Sequence, residues 1–414
     1  MPDVHFQTEL TSGLTLVAES MDWVESVAMS LLMPVGAIND PEDHLGLANF
    51  ACEMVQRGCG NRSSRQFVDD LENLGVDLSG SVANGHTSFS GAMVAENLPT
   101  ALEILADLIQ RPHLPEDQLE DARQVCFHEI HSLEDDLPQK AMLNLRQRHY
   151  PAPYGRNAIG QMETVSSISH ADVQRYQAEH YGPKGAVLAI AGKFDWDEIR
   201  SKVEQLFGEW PEVGQPAPVE SPAVRGYEHV ASDSSQTHIC LAFDGVPYHD
   251  NEYIQARGAV GVMSDGVSSR LFTEVREKRG LCYTVGAHCH STRTQGAIMC
   301  YAGTTSERAQ ETLDVILDEF RKLGEGIHQD ELDRLKARVK SGLIMQQESS
   351  GARSGALAGD YFFYGRIRPV DELRALVDGL TCETVNSFLR DHPFNQPTTV
   401  TLGPDPLEVR LGDS

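Results

Sequence analysis

The chain has 414 residues, of which 40% are hydrophobic and 23% charged, and its formal net charge at pH 7 is −27. This length is too great for one ordinary hydrophobic core and predicts two domains, while the acidic charge excludes nucleic-acid binding, which requires a basic surface. The longest apolar runs, such as VAMSLLMPVG at 27–36, are too short to cross a bilayer, so we expect no membrane partner.

The first predicted helix lies in NDPEDHLGLANFACEMVQRGCG, residues 39–60. Asp40 is placed to cap this helix, and Pro41 occupies a tolerated first helical position. Helical spacing predicts a buried stripe and an opposite face. The buried stripe contains Leu47, Phe50, Met54 and Val55, and the opposite face contains Asn49, Cys52, Glu53 and Gln56. From spacing alone, we expect the opposite face to be solvated.

The rest of the first half alternates strand and helix patterns. SSRQF at 63–67 begins a helix that ends at Gly75, because serine caps a helix and glycine supplies the left-handed residue that ends one. Two strands, VDLSGSV and TSFSGAMVA, and a helix through ALEILADLI follow. A long helix is predicted at 113–136, a buried strand at 185–192 and a closing helix at 196–210.

A proline-rich stretch without apolar periodicity interrupts this order in the middle of the chain. Its composition is typical of a linker. We therefore predict an N-terminal domain at 1–210, a linker at 211–225 and a C-terminal domain at 226–414.

The second half repeats the first. SSRLF at 268–272 begins a helix that ends at Gly280, so the offset is 205 residues both at the SSR tripeptide (63 to 268) and at the glycine (75 to 280). LCYTVGA, QGAIMCYAG and a helix through TLDVILDEF follow in the same order, with further helices and a last strand predicted at 305–323, 328–348, 351–363 and 398–403. We predict a duplicated α+β fold, in which each of two homologous domains is an antiparallel sheet flanked by helices.

Three segments of the chain resemble one peptidase family. GAINDPEDHLGLANFACEM (36–54), PYGRNAIGQMETVSSIS (153–169) and SSRLFTEVREKRGLCYTVGA (268–287) are similar to segments of the insulinase/pitrilysin family, the inverzincins. This family includes the mitochondrial processing peptidase and bacterial two-domain zinc peptidases, and the resemblance covers nearly the whole chain. In catalytic members the first segment carries H-x-x-E-H, whose histidines bind zinc and whose glutamate activates water.

The resemblance implies a degenerate zinc site. It places the first histidine at Asn49, the glutamate at Cys52, the second histidine at Glu53, and a third ligand from a later helix at or next to Glu129. An asparagine amide is a poor zinc ligand. A thiol with an ordinary pKa of ~8.5 is mostly protonated at neutral pH and does not replace a carboxylate base. We expect no catalytic residue and no zinc here, although Glu53 and Glu129 could chelate magnesium or calcium weakly.

A second site implied by the resemblance is intact. In the family, an arginine and a tyrosine seven residues apart grip the substrate backbone from the second domain, and they correspond to Arg276 and Tyr283. A tyrosine hydroxyl can donate to a peptide carbonyl, and a guanidinium adds a fixed cationic fork. The alternative is that Arg276 forms a surface ion pair with Glu274 or Glu277, while Tyr283 packs in a strand.

These expectations favour a noncatalytic, substrate-binding subunit of a two-component zinc endopeptidase. Its partner would be a paralogue that carries the zinc, in a heterodimer, or else a second copy in a homodimer. One alternative is a scaffold or assembly protein that kept the fold without peptide binding. Another is a metalloendopeptidase with a rearranged site built on Glu53, Glu129 and a histidine such as His128.

Two further patterns concern cysteine and histidine. Eight cysteines occur without a CxxC pair, which favours free thiols in a reducing compartment. The N-terminal MPDVHFQTEL lacks a basic segment followed by an apolar one, so we expect no secretory signal and a cytoplasmic location. HCH at 288–290 alternates across a predicted strand, so its two histidines share one face while Cys289 points away.

Overall fold

The computed structural model describes residues 4–214 and 218–410. Within them, the chain forms strands that belong to two sheets: β1 (His5–Glu9), β2 (Thr15–Ser20), β3 (Ser26–Met33), β4 (Ser79–Val82), β5 (Thr87–Val94), β6 (Val187–Gly192), β7 (Tyr227–Ala231), β8 (Gln236–Asp244), β9 (Cys282–Ser291), β10 (Gly296–Thr305) and β11 (Thr398–Gly403).

The α-helices flank these sheets: α1 (Leu47–Val55), α2 (Ser64–Leu74), α3 (Leu98–Gln110), α4 (Leu119–Asp135), α5 (Leu137–His149), α6 (Met162–Ser167), α7 (His170–His180), α8 (Trp196–Phe207), α9 (Tyr253–Ser264), α10 (Ala309–Gly324), α11 (Gln329–Gln346), α12 (Ser350–Tyr364), α13 (Val370–Gly379) and α14 (Cys382–Asp391). No helix in the described part of the chain has both the length and the apolar character needed to cross a membrane. The predicted α+β class is confirmed.

Two compact units hold these elements. The first comprises the described residues within Met1–Ser132, Arg156–Val219 and Ile344–Arg368. The second comprises those within Leu133–Gly155, Glu220–Leu343 and Pro369–Ser414. The units are therefore not contiguous in sequence, unlike the predicted division into 1–210 and 226–414. Of the predicted linker 211–225, residues 215–217 lie outside the described residues, and the rest forms neither helix nor strand.

The first unit is built on a six-stranded sheet in the order β1-β2-β6-β3-β5-β4. Its pairs are antiparallel, as predicted, except β2 with β6, which are parallel. One face packs against α1, α3, α7 and α8 in a large apolar core, and the other face packs against α12. The burial of both faces explains why β3 and β6 are almost uninterrupted apolar runs.

The second unit is built on a five-stranded sheet in the order β7-β11-β8-β10-β9. Again one pair, β7 with β11, is parallel. Helices α9, α10 and α14 cover one face, and α5 packs on the other face against β8 and β11. Helix α5 thus comes from the first half of the sequence, just as α12 of the first unit comes from the second half.

Local sequence signals set several helix ends. Ser63 caps α2 by accepting from the backbone N–H of Gln66, and Gly75 ends that helix with φ of +63°, both as predicted. In the repeat, Gly280 has φ of +60°. The helix before Gly280 differs, however, because Phe272–Glu277 forms a π-helical turn. Such turns occur frequently at functional sites.

Candidate functional site

Helix α1 carries the first group of candidate residues, and Asp40 positions its start. The helix begins at Leu47, later than predicted, because the preceding residues form short 3₁₀ turns. The Asp40 carboxylate still caps it by accepting from the backbone N–H groups of Gly46 and Ala48, each at 2.8 Å. Arg156 also donates to the backbone carbonyl of Asp40 at 2.6 Å. The register of α1 is therefore fixed from outside the helix.

Asn49 faces helix α4. Its side-chain amide nitrogen donates to Glu129 Oε2 at 2.6 Å and lies 3.9 Å from Cys126 Sγ. The positions matched to the first and third family ligands are thus brought together. The contact is an amide–carboxylate hydrogen bond, in which Asn49 presents donor hydrogens toward Glu129.

Cys52 lies on the same helix but is not solvated. Its side chain is 3% exposed and belongs to the apolar core, so the prediction of a solvated face is wrong for this residue. The reason is that α7 and β4 both pack against α1. A Cβ atom at Gly80 of β4 would lie only 3.0 Å from Cys52 Sγ. The absence of a side chain at Gly80 therefore allows the strand to cover Cys52.

Burial determines the chemistry of this thiol. Desolvation, followed by the nearby carboxylates of Glu53 and Glu129, raises the pKa of Cys52 to about 12. The same effects raise the pKa of Cys126 to about 12. Both thiols remain protonated at neutral pH, so neither serves as a general base.

Glu53 is held by a cation just beyond the end of its helix. Arg57 donates to Glu53 Oε1 at 2.7 Å, and both side chains are half-buried. Burial raises the pKa of the Glu129 carboxyl, and so does the charge of Glu53, against the hydrogen bond from Asn49. The two carboxylates are therefore engaged separately, Glu53 with Arg57 and Glu129 with Asn49.

The residues present at this site do not fit zinc. A catalytic zinc site needs three protein ligands drawn from His, Cys and carboxylates, with one open position. Within residues 4–214 and 218–410, no group of three or more His, Cys, Asp and Glu side chains is arranged to hold a metal ion. The rearranged site built on Glu53, Glu129 and His128 is therefore not assembled in the described structure.

Arg276 and Tyr283 lie together in the second unit. The Arg276 guanidinium carbon lies 4.9 Å from the ring centroid of Tyr283 and 4.9 Å from that of Phe272. Cation–π contacts of this kind hold an arginine in place without neutralising its charge. The π-helical turn supplies Arg276, and strand β9 supplies Tyr283.

A β-bulge orients Tyr283. In the pairing of β9 with β10, Thr284 is opposite Gly303 and Cys282 is opposite Thr304, so Tyr283 is the extra residue. A bulge redirects the side chain of the residue that it leaves out of the ladder. Tyr283 is accordingly 81% exposed, although it belongs to a strand. The alternative in which Tyr283 packs within the sheet is not observed.

The alternative ion pairs of Arg276 are also not observed among the described residues. Glu274 instead binds Lys278 at 2.6 Å and Arg279 at 2.8 Å. Hydrogen bonds from these two cations hold the pKa of the Glu274 carboxyl below its ordinary value. Arg276 therefore keeps an uncompensated positive charge beside an exposed phenol, which is suited to binding a polar extended chain.

Sequence reasoning missed three residues of these sites: Arg57, Cys126 and Phe272. Arg57 follows Glu53 by four residues, and Phe272 precedes Arg276 by four, so helical spacing was a usable signal for both. Cys126 precedes Glu129 by three residues on α4. Its contact with Asn49 depends on how α4 packs against α1, and spacing gives no information about that.

Known proteins resemble this chain over nearly its full length. An uncharacterized zinc protease from Rickettsia felis is 26% identical over 404 residues, which cover 97% of this chain and 98% of that protein. A structure from Pseudomonas fluorescens, described as a peptidase M16 inactive domain, aligns with a TM-score of 0.87 and 22% identity over 98% of this chain and 99% of that one. A protease from Helicobacter pylori aligns with a TM-score of 0.88 and 21% identity, covering 97% of this chain and 99% of that one.

Two family models match consecutive parts of the sequence. The model described as Insulinase (Peptidase family M16) matches residues 15–160, which contain the degenerate helix. The model described as Peptidase M16 inactive domain matches residues 167–339, which contain Arg276 and Tyr283. Together with the full-length similarity in sequence and fold, these matches confirm the predicted resemblance, and the chain belongs to the insulinase (M16) family of peptidases.

Proposed function

We propose that this chain is a noncatalytic, substrate-binding subunit of a two-component zinc endopeptidase. The observation that carries the proposal is the contrast between two sites on one chain. At the degenerate helix, Asn49 binds Glu129 and Arg57 binds Glu53, so polar groups satisfy one another. At the second site, Arg276 and Tyr283 keep an uncompensated charge and an exposed hydroxyl.

In this proposal the missing chemistry comes from a paralogue that carries H-x-x-E-H. That partner supplies the zinc and the water-activating glutamate, and this chain supplies the arginine and the tyrosine that hold the peptide backbone. The interaction takes place in the cytoplasm, and the free state of all eight cysteines supports a reducing compartment.

The test is reconstitution. The chain and its H-x-x-E-H paralogue are purified separately and assayed, alone and mixed, for cleavage of unstructured peptides. The proposal predicts endopeptidase activity in the mixture that neither protein shows alone. Full activity of the paralogue without this chain would overturn the proposal. A stable complex whose activity equals that of the paralogue alone would instead identify this chain as a scaffold.

A further inference from the structure

Helix α5 packs mainly on two strands of the sheet of the second unit. Its buried stripe of Ala141, Leu145 and His149 packs on β8 and β11. The next line along the helix, at positions 142, 146 and 150, lies toward strand β9 on the same face of the sheet, because residues four apart lie in a row. Tyr150 shows the direction, since its hydroxyl is 2.7 Å from His290 Nδ1 on β9.

The face of β9 beside α5 carries two histidines. Cys289 packs with the opposite apolar core, and His290 contacts Tyr150, so the predicted alternation of HCH across the strand is confirmed. His288 shares the face of His290 and is exposed. Arg146 lies one helical turn before Tyr150 in the same row, and it therefore lies along the flank that faces these histidines.

Arg146 is a half-buried cation without a counter-charge. Its ionisable neighbours Tyr150 and Cys240 are neutral at pH 7, and in the described part of the chain no carboxylate pairs with it. Its Nε atom is buried without a hydrogen-bond partner. Arg148, on the other flank of the same helix, also has a buried Nε atom without a partner, but its guanidinium binds Glu228 at 3.1 Å. A partly desolvated cation with no partner costs free energy unless a ligand compensates it.

The charge of Arg146 affects the pKa of both His288 and His290. Partial desolvation by neighbouring protein atoms lowers the pKa of the exposed His288, and the charges of Arg146 and Arg257 lower it further. Burial and then Arg146 lower the pKa of His290 to about 4. In the described part of the chain, no carboxylate forms a direct ion pair with Arg146, His288 or His290, although the whole chain carries a net charge of −27. The flank of α5 is thus an isolated donor-rich site.

We infer that Arg146 and His288 form a subsite for a carboxylate group of the bound peptide. A guanidinium fork matches a carboxylate, and an exposed imidazole adds a neutral donor beside it. The carboxylate can belong to an acidic side chain or to the peptide C-terminus. The inference rests on the proposed function, because it assigns this subsite to the peptide that Arg276 and Tyr283 hold.

The test uses the full chain and three fluorescent peptides of one neutral parent sequence. The first ends in an amide and has no acidic residue, the second ends in a free carboxylate, and the third is an amide with one internal glutamate. Fluorescence anisotropy measures each affinity. We expect the second or the third peptide to bind at least about tenfold more tightly than the first, the gain typical of a charged hydrogen bond.

Two variants identify the residue responsible for this preference. Arg146→Gln should abolish it, whereas the matched control Arg148→Gln on the opposite flank should retain it. If Arg146→Gln loses affinity only for the peptide with a free C-terminus, the ligand is a terminal carboxylate. If it loses affinity only for the glutamate peptide, the ligand is an acidic side chain. Equal affinity of the wild type for all three peptides, or an unchanged preference in Arg146→Gln, would overturn the inference.

A second measurement separates this inference from the proposed function. Without any peptide, N-acetylglycine is titrated into the chain while NMR follows the imidazole signals of His288 and His290. A saturable shift that disappears in Arg146→Gln supports the carboxylate site. If the same chain binds no peptide, that second result counts against the proposed function but not against the carboxylate site. The absence of any shift overturns the carboxylate site, whatever the peptides show.

Discussion

The side-chain amide of Asn49 donates to the carboxylate of Glu129 across 2.6 Å, joining α1 to α4 directly. In catalytic members of the family, the residues matched to these two positions are zinc ligands. In this chain the same two helices are linked by a hydrogen bond between a neutral donor and a charged acceptor. Such a bond contributes about 1.5–3 kcal/mol, and it makes the pairing of α1 with α4 independent of a metal.

This arrangement predicts the metal content of the purified chain. After chelation, reloading with zinc and desalting, we expect a zinc stoichiometry close to zero, because Glu53 and Glu129 are engaged with other residues and Cys52 is a buried thiol. Atomic absorption measures it. A value of about one zinc per chain, as in a three-ligand site, would show that the ligand assignment is wrong.

The same site predicts a gain of metal binding. The double variant Asn49→His/Glu53→His places two imidazoles beside the Glu129 carboxylate, which completes a three-ligand set. We expect about one tightly bound zinc per chain, the stoichiometry of such a site, but no hydrolysis, because Cys52 does not act as the base. Asn49→Gln/Glu53→Gln is the matched control, with similar packing but no imidazole. Equal zinc content in the two variants would refute the assigned geometry.

Tyr283 gives a prediction about turnover. Tyr283→Phe removes one exposed hydroxyl, so kcat/KM of the reconstituted complex should fall by about tenfold, which corresponds to one lost hydrogen bond. The free energy of unfolding should change by less than about 0.5 kcal/mol, as for other surface substitutions. Complex formation, followed by size-exclusion chromatography, should not change.

Tyr227 provides the opposite pattern as a control for Tyr283. Its hydroxyl is used inside the second unit, where it bonds Thr401 at 2.9 Å and accepts from the backbone N–H of Leu407 at 2.7 Å. Tyr227→Phe should therefore lower stability by about 1 kcal/mol and leave kcat/KM unchanged. A value of kcat/KM in Tyr283→Phe equal to that of the wild type would remove the assigned role in substrate binding.

Sequence patterns predicted local structure more successfully than they predicted the packing between distant elements. The caps at Ser63 and Gly75 and the alternation at HCH depend on neighbouring residues, and the structure has them as expected. The burial of Cys52 depends on β4, whose Gly80 approaches α1 from a distant part of the chain. An apolar face in the sequence shows that a helix face is buried, but it does not identify the element that buries it.

The same limit applies to α5 and α12, each of which belongs to the unit formed mainly by the other half of the sequence. Helix α12 has an apolar face that any complementary sheet could cover. The sheet that does cover it is the one containing β2 and β3, far away in the sequence. Its hydrophobic residues give no sign of this choice. Polar contacts also join α12 to this sheet, through Ser350 and Ser354 to β3. The charged anchor is Arg353, which donates to Glu19 on β2.

That anchor predicts a large stability effect. Arg353 donates to Glu19 through two nitrogens, at 2.6 and 3.0 Å, and both side chains are almost fully buried. Arg353→Met leaves the buried Glu19 carboxylate with His5 but without its permanent cation, and should lower the free energy of unfolding by about 3–5 kcal/mol. The exposed pair Lys193–Glu25 is the control, and Lys193→Met should cost less than about 1 kcal/mol.

The pH dependence of that anchor follows from Glu19. Burial raises the pKa of Glu19, but the contacts with His5 and Arg353 outweigh burial and hold it below its ordinary value of 4.5. The pair therefore contributes fully above pH 4.5, and its contribution is lost as the pH falls below that value. Urea denaturation measures both effects. Equal losses in Arg353→Met and Lys193→Met would show that the buried pair does not anchor α12.

His149 predicts a second pH dependence, in the second unit. Its ring accepts or donates a hydrogen bond to Thr398 at 3.0 Å, and the side chain is almost completely buried. Burial, and then the charge of Arg225, lower the pKa of His149 from 6.5 to about 4. The unfolded chain therefore binds a proton that the folded chain does not, and stability falls as the pH drops from 6.5 to 4.

The expected size of this loss is about 3 kcal/mol, from about 1.4 kcal/mol for each pH unit of difference. His149→Asn removes the titrating group while keeping a side chain that can bond Thr398. Urea denaturation between pH 7 and pH 4 should therefore show a smaller loss of stability for this variant than for the wild type. His128→Asn, which replaces an exposed histidine on α4, should lose as much as the wild type. If His149→Asn loses as much as His128→Asn, the buried neutral histidine is not the cause of the acid sensitivity.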